Sequence, residues 1–437
     1  MTYGELIGGN KNFRNLLIGQ FISELGNWFN FIAGLGLVRV VSDASPTAAG
    51  LFFVARLIPF ALTSPIAGTF VDRFSRRQVM IWTDLLRVAI ALSFLLVNDP
   101  GDLWIAYLAT VMLHFFGAFF DGAKNAAAPN LTGKEGLLAG TALLFSTRFL
   151  LMAIGSALGG WAAAVFGYKA AFIINAASFL ISAYTVWLIP EEATRDEETG
   201  SRMKTLGRRS AVAEELEPET PERPSFMTEL REGLSYAFTN HFALTILIMN
   251  VIWATGGGSI NVIFERIGGV YFAGTEGWNP DVAVALLWTA TGFGLTLGML
   301  IARRTSMYLD RKGRNHGFIG WTLIIHGVLF SLAAFMPTLW LFSVIVFVSR
   351  AIVGVEYAVQ ETMFQRSLPD YIRGRISTLD RGAELTMFGL SSYIASGMMY
   401  YITPQTLTIF SGVLSALAGV VWFMRETNNE RLSEETR

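Results

Sequence analysis

The 437 residues include 52% hydrophobic and only 15% charged side chains, with a mean hydropathy of +0.46. Soluble domains average about 25% charged residues, so this is the composition of a membrane protein. A formal net charge of −1 excludes nucleic acid as a partner, and the lack of cysteine excludes disulfides, thiol catalysis and Cys-ligated metals.

A helix needs about 20 mainly apolar residues to cross ~30 Å of hydrocarbon. On that measure the chain predicts an all-α membrane protein with twelve transmembrane helices in two pseudo-symmetric six-helix bundles. The spans expected in the first half are 16–40, 50–70, 79–97, 103–120, 137–166 and 170–189. Those in the second are 234–253 with an extension to 264, 282–302, 318–336, 339–359, 376–402 and 406–424. The domains are then 1–190 and 229–425, a cytoplasmic linker 191–228 and a tail 426–437. The linker holds Asp196-Glu197-Glu198, Glu214-Glu215, Pro218, Pro221 and Pro224, which cannot build a core and read as a polar tether. Met1–Gln20 carries Lys11 and Arg14 and runs into the first apolar stretch, so it reads as a retained span rather than a cleaved leader.

Lys and Arg set the orientation. With the N-terminus inside, the outer segments keep only Arg39, Lys169 and Arg266, and the other loop cations fall inside. Both termini are therefore expected in the cytoplasm, with the protein in the inner membrane.

Two basic loops repeat, one per half. The first is Gly68-Thr-Phe-Val-Asp72-Arg73-Phe-Ser75-Arg76-Arg77, and the second is Ser306-Met-Tyr-Leu-Asp310-Arg311-Lys312-Gly313-Arg314. A carboxylate can accept N–H bonds at a helix start, and arginines can pair with acids on adjacent loops. Such contacts form a latch that one arrangement of the halves makes and the other breaks. The competing reading is a topology signal anchored on anionic membrane lipids. Asp84 and Arg87, at i and i+3, read as supporting partners, as do Asp380 and Arg381 at the start of span 11.

Twelve spans in two halves, with a Gly-x-x-x-Asp-Arg-x-x-Arg-Arg loop after span 2 and a copy after span 8, resemble the major facilitator superfamily. Asn12-Phe-Arg-Asn…Gln20, Pro129-Asn-Leu…Arg148…Gly155-Ser-Ala-Leu-Gly159-Gly160 and Arg373-Gly374-Arg375 are similar to its branch of enterobactin and macrolide exporters. The resemblance implies a secondary transporter, usually monomeric, with Gly155, Gly159 and Gly160 where the halves slide or seal during switching; Arg148, a cation at depth near the start of span 5, reads as part of the cytoplasmic gate. Asn27 stands where that branch has an acid, and Ser156 where its exporter motif has proline.

Ionisable groups inside spans are costly unless paired or wet, so they are the site candidates. Glu24, with Asn27 and Asn30 following it, is the first proton-carrier candidate, because burial favours the protonated carboxyl. Glu356 and His114 are the others. Arg56 and Arg350 could neutralise an acid on the substrate; Arg350 could equally pair permanently with Glu356 or Glu361. Asn250, Trp253 and Asn261 stripe span 7, where Gly256-Gly257-Gly258 is expected to interrupt the helix. With Trp28 they are expected to line the cavity. No nucleotide-binding loop, metal-ligand cluster, cofactor motif or catalytic constellation is present, so no enzyme is expected. The expected function is export of a small amphipathic substrate by proton antiport. A lysophospholipid or lipid-intermediate flippase and a transport-dead membrane sensor are the rivals.

Overall fold

The computed structural model describes residues 3–71, 74–194 and 226–435. They form helices joined by short turns, with no strand among the described residues. A short α1 (Tyr3–Gly9) leads into α2 (Lys11–Val41), α3 (Pro46–Val71) and α4 (Arg76–Ser93). Next come α5 (103–132), α6 (134–166) and α7 (168–187), which run on without a loop. Gly133 and Gly167, at φ 66° and 77°, supply the left-handed residue that turns the chain at each junction.

The second half begins with the amphipathic α8 (Phe226–Thr239), then α9 (His241–Arg266), which continues through a π-helical turn (Ile267–Phe272). Asn240 ends α8 and caps α9 by accepting the Ala243 N–H at 2.9 Å, so the rod starts at 241 rather than at the expected 234. There follow α10 (Pro280–Lys312), α11 (Asn315–Ala333), α12 (Leu339–Ser367), α13 (Asp370–Met398) and α14 (Pro404–Glu435). Asn279 caps α10 just before Pro280, whose missing N–H costs nothing in a first turn.

Nine stretches of the described residues are long and apolar enough to cross a membrane. One of them, Thr147–Trp187, turns at Gly167 and so contains two rods. α2 and α13, with 31 and 29 residues, have the length, but Gln20, Glu24, Asn27 and Asn30 on one and Asp380, Arg381 and Glu384 on the other dilute their apolarity. The expected break at Gly256-Gly257-Gly258 does not occur. α9 is continuous there, and the three glycines let it approach the α13 backbone at Phe388 and the α14 backbone at Ser411.

The apolar cores divide unequally. One core draws on both halves: Phe31, Phe52 and Phe172 pack in it with Phe264, Leu287 and Phe342. It lies at the end where α2 finishes and α10 begins. At the opposite end the halves have separate cores, one around Phe13, Met80 and Leu131 and the other around Ile246, Phe364 and Trp422.

Candidate functional site

The shared core is tied by a buried ion cluster. Arg39, at the end of α2, donates to both oxygens of Glu265 at 3.0 and 3.1 Å and pairs with Asp281 at the start of α10. Tyr168 donates to the other Asp281 oxygen at 3.0 Å. Arg39, Glu265 and Asp281 are 8%, 2% and 6% exposed. Gly269, in the π turn, leaves the room that the guanidinium occupies. Close by, Ser45 and Thr47 meet the Tyr400 hydroxyl, Arg266 donates to the Ala44 carbonyl, and Thr289 donates to the Ala153 carbonyl at 3.2 Å. These side-chain hydrogen bonds and ion pairs join residues 3–194 to residues 226–435, and all of them lie at this end.

Small residues make the seam close. A Cβ on Gly160 of α6 would collide with Ala285 of α10, and one on Gly292 of α10 with the backbone of Ala153. Gly155 and Gly159 differ: a Cβ there would sit 2.7 Å from Trp28 Cβ and 3.1 Å from Phe29 Cα, so they fit α6 to α2 of the same half.

Beyond the seam a cavity of about 220 Å³ extends from Phe31 and Phe52 to Asp121, Lys124, Arg148 and Arg381. It gathers several sequence-expected residues: Glu24, Asn27 and Asn30 from α2, Arg56 from α3, Arg87 from α4, His114 from α5, Arg148 from α6 and Arg381 from α13. Asn27 donates to Glu24 at 3.3 Å, and His114 Nδ1 lies 2.9 Å from the Thr110 carbonyl. Asp84 and Arg87 are ion-paired and buried, with the guanidinium between the Phe120 and Phe179 rings.

Other expected cavity residues lie elsewhere. Trp28 is buried in the seam against Gly155 and Trp288, its ring 5.9 Å from the latter. Asn250 donates to both Asp380 oxygens at 3.0 Å and accepts from Gln360 at 2.8 Å. With Trp253 and Glu356 it borders a small separate pocket inside the second half. Asn261 bonds Ser392 of α13 at 2.9 Å. Arg350 is buried over the Phe330 ring at 5.6 Å and pairs with neither Glu356 nor Glu361. The polar stripe of α9 thus faces its own bundle, because each amide finds a partner on a neighbouring helix there. Asn250→Leu is expected to lower the melting temperature by several degrees, since Asp380 loses its donors; an unshifted melting curve would count against that role.

The bonds described for the latch residues stay within one half. Asp72 and Arg73 lie outside the described residues. Gly68 is exposed with open space around it. Arg76 donates to the Thr194 carbonyl and Arg77 to that of Trp187, both in the first half. Asp310 accepts from Asn315 at 2.7 Å and pairs with Arg366 at 3.2 Å, while Arg311 and Arg314 are exposed. Arg381 pairs with Glu384 at 2.7 Å on its own helix. The Arg39 cluster was not singled out from sequence, where Arg39 counted only as an outer cation. Its signal was three ionisable residues at the ends of apolar spans.

Long apolar helices enclosing a polar cavity define a multi-pass membrane protein. The chain belongs to the major facilitator superfamily, whose family description matches residues 16–315. The MFS-type transporter YfiS of Bacillus subtilis is 24% identical over 374 residues, covering 85% of this chain and 82% of that one. Macrolide efflux protein A of Enterococcus faecalis is 23% identical over 329 residues, covering 74% and 92%. Among solved structures, the nucleoside transporter NupG aligns with a TM-score of 0.69 at 12% identity, covering 95% and 98%. A bacterial homologue of the iron transporter ferroportin, in an inward-facing state, aligns at 0.67 and 17% identity, covering 95% and 98%. These likenesses carry the fold; the chain is a secondary transporter with efflux-type relatives.

Proposed function

We propose that the protein exports an amphipathic small molecule by proton-coupled alternating access. On this reading it crosses the inner membrane twelve times as a monomer, with both termini cytoplasmic. The observation that supports it is the asymmetry of the seam. One end shares a core and holds the described side-chain bonds between the halves, while the other has two cores and a cavity. The Lys/Arg bias puts the sealed end outside, so the cavity faces inward. Export then requires the Arg39 cluster to part and the Arg76 and Asp310 loops to engage. The relative named for macrolide efflux supports the outward direction.

Glu24 is the coupling residue of this proposal. It lines the cavity, where water can exchange its proton, and its one described hydrogen bond is from Asn27. His114 and Glu356 are secondary candidates. In proteoliposomes, an uncoupler is expected to abolish concentrative flux, and Glu24→Gln to leave substrate binding but flatten the pH dependence of transport. Concentrative flux that survives the uncoupler rules the coupling out. One observation favours the lipid-transporter reading: a groove of about 520 Å³ on the first half, lined by Phe70, Phe74, Trp82, Phe115 and Phe119.

A further inference from the structure

The charges around the central cavity do not cancel. Arg56 faces it from α3, Arg87 from α4, His114, Asp121 and Lys124 from α5, Arg148 from α6, Arg381 from α13 and Glu24 from α2. Three of the cations are matched: Arg87 by Asp84, Lys124 by Asp121 and Arg381 by Glu384. Arg56 and Arg148 remain against Glu24 alone, and none of the three is in a described ion pair.

Arg56 is the better placed of the two. Its guanidinium stands over the Phe31 ring at 3.8 Å and 5.3 Å from the centre of Trp28. No described protein acceptor takes its N–H groups. Rings can hold the face of a guanidinium while its edge, a planar fork of donors, stays available to a carboxylate or phosphate. Phe31, Phe52, Leu57, Phe60, Leu113 and Leu385 supply apolar wall in the same cavity.

We infer that the cavity takes an amphipathic anion, with one carboxylate or phosphate head on Arg56 and Arg148 and an apolar body against Phe31, Phe52 and Phe60. This rests on the transporter reading and adds the charge of the cargo. Glu24, on the same cavity, is the nearby counter-charge of Arg56.

An aqueous aromatic acid and a lysolipid share this chemistry. Isothermal titration of the purified full chain in a neutral detergent separates them, using naphthoate, naphthylmethanol, naphthylmethylamine, lysophosphatidate and lysophosphatidylcholine. One acid of the set is expected to bind at least about tenfold more tightly than its uncharged or zwitterionic match, with the amine weakest. Preference for lysophosphatidate alone assigns the cargo to the membrane; naphthoate binding assigns it to water. Arg56→Gln is expected to bring the acid down to its match and Arg56→Lys to recover part of the difference. If Arg56→Gln does not fold, Arg148→Gln, at an exposed position, carries the same comparison. The inference is overturned if no acid binds more tightly than its match, if the amine binds best, or if the folded variant keeps the acid preference. The assay has no gradient, so a failure of proton coupling leaves its outcome untouched.

Discussion

Arg39→Gln is expected to open the end of the bundle that is sealed here. The substitution leaves Glu265 and Asp281 buried without their cation. Breaking a buried ion pair from one side costs roughly 3–5 kcal/mol, which is a hundredfold or more in the balance between two arrangements. Parting the halves admits water to both acids, so the balance moves toward the parted form rather than toward unfolding. The chain has no native cysteine, so a single Val284→Cys, at a site 1% exposed beside Gly269, reports the seam. A membrane-impermeant maleimide is expected to label it slowly in the parent and at least about tenfold faster with Arg39→Gln. Removing all three charges, by adding Glu265→Gln and Asp281→Asn, is expected to restore much of the protection, since no buried charge is then left unpaired. Equal labelling in parent and Arg39→Gln removes the cluster from any part in closure.

Gly160→Val is the second large effect expected. Even a methyl group there meets Ala285 across the seam, and the backbone of Asp281 lies just behind. Valine therefore blocks close approach of α6 and α10 while leaving each half's own packing in place. Transport is expected to fall about a hundredfold, with a melting temperature near that of the parent and fast labelling at Val284→Cys. Gly155→Ala, one helical turn and a little more away, is expected to behave oppositely. Its methyl presses on Trp28 of the same half, where overpacking costs about 1–3 kcal/mol and shows as lost stability. A Gly160 variant that transports normally would falsify the seam as a moving contact.

Much of the cavity could be read from spacing. Glu24, Asn27 and Asn30 fall on one face of an otherwise apolar helix, and a costly polar face in a membrane marks water or a partner. Arg56 and Arg148 followed from the same cost. The rule misplaced Asn250 and Asn261, because a polar side chain at depth can be satisfied within its own bundle as well as at a cavity. Asp380 and Ser392, a hundred and thirty residues further on, decide that. The glycines of α9 misled for a similar reason: without a Cβ they permit either a break or a tight approach, and the neighbouring helices select the approach.

Amino-acid order alone determined the membrane class, the duplicated helical plan and the family, because these rest on hydropathy, helix length and local motif, each read within one segment. Tertiary structure decided which end is sealed. Arg39, Glu265 and Asp281 meet only when α2, α9 and α10 converge, and a buried charge takes its meaning from the partner that packing places beside it.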